Sequence, residues 1–148
     1  MPSIQPIMKY VERFTVTGLT VRTRNSDEFN QETAKLPNLW QQFYARKPTP
    51  DTTIFGVYSN YESDASGPYN VTVGTTHDKQ HAELSAIKIH PGNYLVFHGK
   101  GAMPLTVIET WKRVWDCFTG ESSYQRCFMT DFEAHSNSDE VAIYIGVK

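Results

Sequence analysis

The stretch "RCFMTDFEAHSNSDEVAIYIGVK", Arg126 to Lys148, decides the fold of this chain, because it predicts two β-strands joined by the polar turn "SNSD". Residues two apart on a strand share a face of the sheet. One face of the first strand begins apolar and ends acidic, and it carries Cys127, Met129, Asp131 and Glu133. The opposite face carries Arg126, Phe128, Thr130 and Phe132. The two carboxylates within a strand raise the question of what they contact.

The segment before this strand pair predicts a strand and a helix. "NYLVFHG" has the composition of a strand, and "PLTVIETWKRVWDCFTG" has the apolar spacing of an amphipathic helix. Pro104 near its start and Gly120 after its end are typical of helix boundaries. The apolar stripe of this helix consists of Val107, Ile108, Trp111, Val114, Trp115 and Phe118.

The first half of the chain predicts the same order of elements. "ERFTVTGLTVRTR" predicts a strand, with a bulge at Gly18 where the alternation changes phase. A helix is expected from Ser26, and Pro37 is expected to interrupt it and to start it again. "TTIFGVYSNYE" and "YNVTVGTTH" predict two further strands.

Short matches between the two halves indicate a duplication. "WQQF" at 40–43 matches "WDCF" at 115–118, and "VTVGTT" at 71–76 matches "IYIGVK" at 143–148, about 72 to 75 residues apart. We therefore predict an α+β fold made of two tandem βαββ units with pseudo-twofold symmetry. The expected result is an antiparallel sheet, one helix from each repeat and a central groove. We assign residues 1–148 to a single domain, with repeat one at about 10–77, a linker at 78–86 and repeat two at about 87–148.

Composition excludes several classes of protein. The net charge of -2 argues against a protein that binds nucleic acid through its phosphates. No apolar stretch reaches the roughly 18 residues of a membrane span, and the N-terminus lacks the core of a signal peptide, so we expect a cytoplasmic protein. Cys117 and Cys127 are expected to be reduced, and no Cys/His spacing matches a zinc site. His77 and His81 are four residues apart at the start of the linker and within it, with no clear helix beneath them, so we expect neither a metal nor a cofactor.

Five segments together resemble the GyrI-like effector-binding family, which also occurs fused to AraC-type and MerR-type transcription activators. These segments are "LPNLWQQF", "FGVYSNYE", "YNVTVG", "VIETWKRVW" and "DFEAHSNSDEVAIYIGVK". The resemblance implies an aromatic pocket between the halves, with Glu133 at its centre, that binds small, amphipathic, cationic aromatic compounds. The family often has Tyr two residues after this Glu, where this chain has His135. Only nine residues precede Tyr10, so we expect a stand-alone member of the kind found in mobile gene cassettes.

The chemistry of such a pocket explains its preference for cations. A carboxylate among apolar groups is costly to ionise unless a positive charge accompanies it. A lipophilic cation supplies that charge, and flat aromatic walls add cation–π attraction. The ligand-binding residues that we predict are Glu133, Trp40, Trp111, Phe55, Tyr61, Trp115 and Asp131.

Alternatives stay open for several of these residues. The tryptophans also fit simple core packing, and Glu133 also fits a surface position or an ion pair. Phe55 and Tyr61 are expected on one face of their strand and Tyr58 on the other, and the sequence does not say which face lines the pocket.

Three functions are compatible with the sequence. The favoured interpretation is a small-molecule-binding module that sequesters its ligand or reports it to a transcription regulator. The alternative is a hydrolase of strained-ring, cyclopropane-type genotoxic compounds, for which Asp131 or His135 could be a second acid–base group. The third is a protein-interaction inhibitor of the DNA-gyrase-antagonist type. Nothing in the spacing demands an enzyme, and we name no catalytic residue.

Overall fold

The computed structural model describes residues 6–46, 52–63, 67–76, 84–119, 124–137 and 139–148. Most of the predicted linker, with His77 and His81, lies outside these residues, as does Gly120. No helix in the described ranges is long and apolar enough to cross a membrane. The elements in chain order are β1 Ile7–Val11, β2 Thr15–Thr23, α1 Asn25–Glu28, α2 Leu36–Ala45, β3 Ile54–Ser59, β4 Tyr69–Thr75, β5 Ser85–Lys88, β6 Gly92–Lys100, α3 Leu105–Thr119, β7 Arg126–Asn137 and β8 Glu140–Val147.

The eight strands form one antiparallel sheet in the order β1-β6-β8-β7-β3-β4-β2-β5. The two central strands, β3 and β7, pair with Gly56 opposite Glu133 and Tyr58 opposite Asp131. Helix α2 packs on β2 and β4, while α3 packs on β6 and β8. The predicted α+β class with an antiparallel sheet is confirmed, and each helix covers one half of that sheet.

Short connections require the sheet to curve strongly. Strand β1 lies at one edge and β2 lies near the other, yet only residues 12–14 connect them. The four steps from Val11 to Thr15 span at most about 14 Å, so the two edges must approach each other. The connection passes over the face without helices, where the ring of Phe14 lies 5.4 Å from that of Phe55 and 5.5 Å from that of Phe132.

This far face holds a core of its own beneath the crossing segments. Its buried residues are Val16, Val57, Ile89, Tyr94 and Phe132. The helix-side core has two further clusters, one under each helix. Burial on both faces explains why a strand such as β6 has the continuous apolar run 94–97 rather than a strict alternation.

Helix α2 begins where the sequence predicts a new start. Pro37 lies in the first turn, where its missing N–H has no partner to lose. The carboxylate of Glu28 accepts the backbone N–H groups of Lys35 and Leu36, which satisfies free donors at this helix end. The helix expected from Ser26 is only the four-residue α1.

The bulge predicted at Gly18 is wrong. Pairing between β2 and β4 runs without a register shift from Thr17 opposite Thr75 to Thr23 opposite Tyr69. A Cβ on Gly18 would lie 1.9 Å from the carbonyl oxygen of Val73. The glycine is required because the two strand backbones approach too closely for a side chain. The change of phase in the apolar alternation at Gly18 is therefore not the mark of a bulge.

Candidate functional site

A cleft of about 930 Å³ lies between α2 and α3, above the junction of β3 and β7. Its walls are mostly aromatic and its floor is the central pair of strands. Helix α2 contributes Trp40 and Tyr44, and α3 contributes Ile108, Trp111 and Trp115. The floor and the adjoining segments contribute Tyr58, Tyr61, Tyr69, Arg126, Glu133 and His135.

Glu133 is almost completely buried in the floor of this cleft and is held by three neighbours. The phenol of Tyr58 donates to its Oε2 at 2.8 Å, and the indole N–H of Trp111 donates to the same oxygen at 2.7 Å. His135 Nε2 lies 2.9 Å from its Oε1. A carboxylate has about four acceptor positions, so these contacts leave about one of them open. Among the described residues, His135 is the only basic side chain within ion-pair distance of Glu133.

Space above Glu133 depends on the residue paired with it. Gly56 lies opposite Glu133 on β3. A Cβ there would meet the Trp40 ring at 3.1 Å and Glu133 Oε1 at 3.6 Å. Glycine therefore lets the indole of Trp40 lie close to the floor, where it also packs edge-on against His135 with ring centroids 5.0 Å apart.

Three tyrosines form one wall of the cleft. Tyr58, Tyr61 and Tyr69 pack with ring centroids 5.5 to 5.7 Å apart. Burial raises the pKa of the Tyr58 phenol well above its usual range, and the negative charge of Glu133 raises it further. Burial likewise raises the pKa of Tyr61, with Asp131 adding to the effect. Both phenols therefore stay protonated and donate to carboxylates.

A buried ion pair lies beside Glu133. A terminal nitrogen of the Arg126 guanidinium is 2.7 Å from Asp131 Oδ2, and the two side chains are 8% and 0% exposed. Asp131 also accepts the Tyr61 hydroxyl and, through Oδ1, the backbone N–H of Gly146 at 2.8 Å. Burial lowers the pKa of Arg126, but Asp131 and Tyr61 raise it and the net direction is upward. Arg126 Nε is buried without a hydrogen-bond partner among the described residues.

Two left-handed residues overturn the strict alternation that the sequence predicts. Phe128 has a φ of 53°, and the register of β7 shifts between Arg126 and Asp131. As a result, Arg126 contacts Asp131 instead of pointing to the opposite face, and Met129 is half exposed. Asn60, with a φ of 51°, ends the alternation of β3 in the same way.

The predicted site residues separate into two groups. Trp40, Trp111, Trp115, Tyr61 and Glu133 all line the cleft. Phe55 does not, because it lies on the far face beside Phe14 and Phe132. Asp131 does not either, because it is fully buried and its oxygens are occupied by Arg126, Tyr61 and Gly146. Tyr61 shares the cleft with Tyr58, whereas strict alternation placed them on opposite faces.

Several lining residues are absent from the predicted set. Tyr58 could have been found from the 75-residue offset of the "WQQF" and "WDCF" matches, which superposes it on Glu133. Arg126 could not, because only the left-handed Phe128 directs it toward Asp131. No sequence signal marks Tyr44, Tyr69 or Phe29 either.

The mouth of the cleft is apolar and open. Phe29, Tyr44 and Ile108 line it and are 73%, 52% and 47% exposed. Phe29 packs edge-on against Trp115 across the gap between α1 and α3, with centroids 5.9 Å apart. Ile108 belongs to the apolar stripe predicted for α3, so part of this stripe lines the cleft and does not enter the core. In the part of the chain that the structure describes, no group of three acidic, His or Cys side chains could hold a metal ion.

Comparisons with known proteins agree with this architecture. The family model "Cass2: Integron-associated effector binding protein" matches residues 8–147. An integron cassette protein from the mobile metagenome of Vibrio cholerae is 36% identical, with a TM-score of 0.91 over 97% of this chain and 96% of that one. The putative transcriptional regulator YobU of Bacillus subtilis is 30% identical over 88% of this chain and 90% of its own length. SAV2435, solved bound to tetraphenylphosphonium, shares the fold at 19% identity, with a TM-score of 0.75 over 98% of this chain and 94% of that one.

Proposed function

Because the chain belongs to the integron-associated effector-binding family, we propose that it binds amphipathic cationic aromatic compounds in the cleft, with Glu133 facing the positive charge. The observation that carries the proposal is a buried carboxylate in an aromatic cleft with two neutral donors and one histidine against it. The family membership supports the binding of an effector, and the chemistry of the cleft supports its charge.

The energetics favour a delocalised cation over a neutral ligand. Tyr58 and Trp111 stabilise the ionised form of Glu133, yet neither supplies a positive charge. A lipophilic cation loses little hydration on entering, and the indoles of Trp40, Trp111 and Trp115 offer π faces to it. The ligand tetraphenylphosphonium in the neighbouring structure of SAV2435 has this chemistry, which supports the same ligand class here.

We propose in addition that the two halves are a duplicated βαββ unit related by a pseudo-twofold axis. From the centre outward, the three strands of each unit follow the same order, β7, β8, β6 on one side and β3, β4, β2 on the other, and β1 and β5 form the outer edges. An offset of 75 residues superposes Trp40 on Trp115 and Tyr58 on Glu133. The cleft would then lie on the axis, which is why both halves contribute to its walls. The repeat boundaries, the cytoplasmic location and a regulator as partner also remain proposals.

The deciding experiment is a fluorescence titration of a rhodamine ester, a lipophilic cation, against the wild type and Glu133→Gln. We expect saturable binding by the wild type and at least tenfold weaker binding by the variant, equivalent to about 1.4 kcal/mol. Gln keeps the size of the side chain and removes its charge. Glu140→Gln is a matched control, because Glu140 lies on the neighbouring strand and pairs with Lys100 at the surface.

Equal binding by wild type and Glu133→Gln, or no binding by either, would contradict the proposal. Circular dichroism and thermal unfolding of both variants separate a loss of charge from a loss of structure. Binding that weakens equally in Glu140→Gln would indicate attraction by overall charge and not by the cleft.

One contact also favours the hydrolase as a second candidate. His135 Nε2 lies 2.9 Å from Glu133 Oε1, so the floor contains a carboxylate–imidazole pair that could activate water. Asp131 is engaged by Arg126 and is therefore a poor second acid. Consumption of a strained-ring alkylating compound, lost in both Glu133→Gln and His135→Phe, would establish the activity. Saturable binding without turnover would favour the binding module.

A further inference from the structure

The net charge at the floor of the cleft depends on very few side chains. Glu28 lines the cleft wall and not its floor, and its carboxylate accepts the backbone N–H groups of Lys35 and Leu36 at the start of α2, where the positive end of the helix dipole offsets part of its charge. Lys112 lies at the exposed surface of α3, where water screens its charge. Apart from His135, which contacts Glu133 Oε1, the ionisable acids and bases of the floor are Asp131, Arg126 and Glu133.

Arg126 cancels the charge of Asp131 within this group. The two are 2.7 Å apart and 8% and 0% exposed, so little water screens their attraction. The guanidinium also lies over the Phe128 ring, 4.5 Å from its centroid, which fixes it against the wall. Asp131 is fully buried, does not line the cleft, and accepts from the protein through both oxygens, so a cationic ligand in the cleft does not take the place of Arg126. Glu133 remains as one unbalanced negative charge.

We propose that Arg126 is a specificity-determining residue, which limits the cleft to ligands with one positive charge by neutralising Asp131. The inference rests on the proposed function and adds the charge number of the ligand to it. A monocation opposite Glu133 leaves the floor neutral. A compact dication brings a second positive charge to the aromatic floor, where no second unpaired carboxylate meets it and Arg126 repels it.

A pair of near-isosteric probes isolates this effect. N-methyl-4-phenylpyridinium and N,N′-dimethyl-4,4′-bipyridinium are flat, two-ring cations of almost the same size with one and two charges. Each is titrated against the protein with bound rhodamine ester, at pH 8 and physiological ionic strength, and dye displacement is measured. For the wild type we expect the monocation to bind at least about tenfold more tightly than the dication.

Charge variants of the Arg126–Asp131 ion pair shift the preference for the monocation in a defined direction. Arg126→Gln exposes the charge of Asp131 to the cleft, so we expect the ratio of monocation to dication affinity to fall at least about tenfold. The double variant Arg126→Gln with Asp131→Asn restores a neutral pair, and we expect its ratio to match the wild type. Circular dichroism confirms that each variant is folded before it is titrated.

Several results would overturn the inference. Equal affinity of the wild type for both probes would do so, as would a ratio unchanged in folded Arg126→Gln. If Arg126→Gln does not fold, the test uses the wild type and the double variant alone. If either of these two proteins does not prefer the monocation over the dication, the proposal is rejected. These failures differ from a failure of the proposed function, in which rhodamine ester binding itself would not depend on Glu133.

Discussion

At the scale of the residue, the proposed recognition of a cation depends on how Glu133 is held. Its carboxylate is nearly buried, yet two neutral donors fix its direction and His135 contacts the remaining oxygen. Such fixed donors keep a charge in place without cancelling it. The aromatic rings around it supply contact area and polarisable faces, so the proposed binding requires of a ligand only one positive charge and a general shape. If the proposal holds, we expect a broad range of ligands.

Replacement of Trp111 tests the donor that the structure assigns to it. Trp111→Phe removes the indole N–H that lies 2.7 Å from Glu133 and leaves a buried charged acceptor with one donor fewer. We expect the free energy of unfolding to fall by about 1 to 3 kcal/mol in urea denaturation. Trp115→Phe is the matched control, because Trp115 lines the same cleft on the same helix and makes no hydrogen bond to Glu133. Equal losses in the two variants would argue against the assigned hydrogen bond.

Tyr58 predicts how stability changes with alkaline pH. Burial and the nearby Glu133 raise the pKa of its phenol in the folded protein, while an unfolded tyrosine has a pKa near 10. The folded state therefore holds more protons above about pH 10, and stability falls as the pH rises. The contribution of the neutral phenol is complete below about pH 10 and is lost as the pH approaches the folded-state pKa.

The Tyr58→Phe variant measures this contribution. We expect the free energy of unfolding to decrease less between pH 9 and 11.5 in Tyr58→Phe than in the wild type. The difference is at most about 1.4 kcal/mol per pH unit above pH 10, the value for one proton. Denaturant unfolding at a series of pH values gives both curves. Curves that run parallel over this range would show that the phenol is not protected in the folded protein.

At the scale of the element, small irregularities in β3 and β7 bring the side chains of the site together. Asn60 follows the last residue of β3 and has a left-handed conformation. Phe128, near the start of β7, has the same conformation. These strands are neighbours, and their paired ends meet where Ser59 lies opposite Thr130. Both residues therefore act at one end of the cleft, where they bring Tyr61 and Arg126 to Asp131. Functional positions often contain such backbone deviations.

Close approach of β2 and β4 gives a prediction for a single element. Gly18 and Gly74 are paired directly, and a Cβ on Gly18 would lie 1.9 Å from the Val73 carbonyl oxygen. Since the nearest atoms belong to the backbone of Val73 and Gly74, Gly18→Ala must separate the strands. We expect the free energy of unfolding to fall by about 2 kcal/mol or more. Thr15→Ala changes an exposed position of the same strand and should remain within about 0.5 kcal/mol of the wild type.

Urea denaturation of the two variants decides this point. A loss in Gly18→Ala no larger than that in Thr15→Ala would mean that β2 and β4 are farther apart than the structure has them. A large loss in both would assign the effect to the strand as a whole.

At the scale of the whole molecule, the cleft exists because two helices on one curved sheet face each other. Helix α2 packs on one half of the sheet and α3 on the other, and the floor joins β3 to β7. The short connections on the far face hold the sheet edges together and pack Phe14 onto the central strands. A ligand in the cleft therefore contacts both halves and should stabilise them together.

Hydrogen exchange with mass detection tests this coupling. We expect saturating rhodamine ester to slow amide exchange in both α2 and α3, with little effect on the exposed edge strand β1. At a ligand concentration of 100 Kd the protein should gain about 2.7 kcal/mol of stability. Glu133→Gln under the same conditions is the control and should show neither change. Protection confined to one helix would mean that the ligand binds outside the cleft.

The sequence by itself determined the two longer helices, six of the eight described strands and the family, and it singled out Glu133, whereas it did not predict β1 or β5. Apolar periodicity defines α3, Pro37 defines the start of α2, and the strand pair from Arg126 onward carries Glu133. These features depend on neighbours along the chain, so a local pattern is enough to predict them. Trp40, Trp111 and Trp115 were predicted for the same reason, since helical spacing places them on one side of each helix.

Only the tertiary structure decided which side chains meet on the floor of the cleft. Phe55 faces away from it, Tyr58 and Tyr61 share it, and Arg126 reaches Asp131. A bulky residue such as Phe128 adopts a left-handed conformation only where its surroundings compensate the strain, and alternation along a strand carries no such information. Tyr61, against which Phe128 packs, is far from it in sequence, so the chain must fold before these contacts are defined.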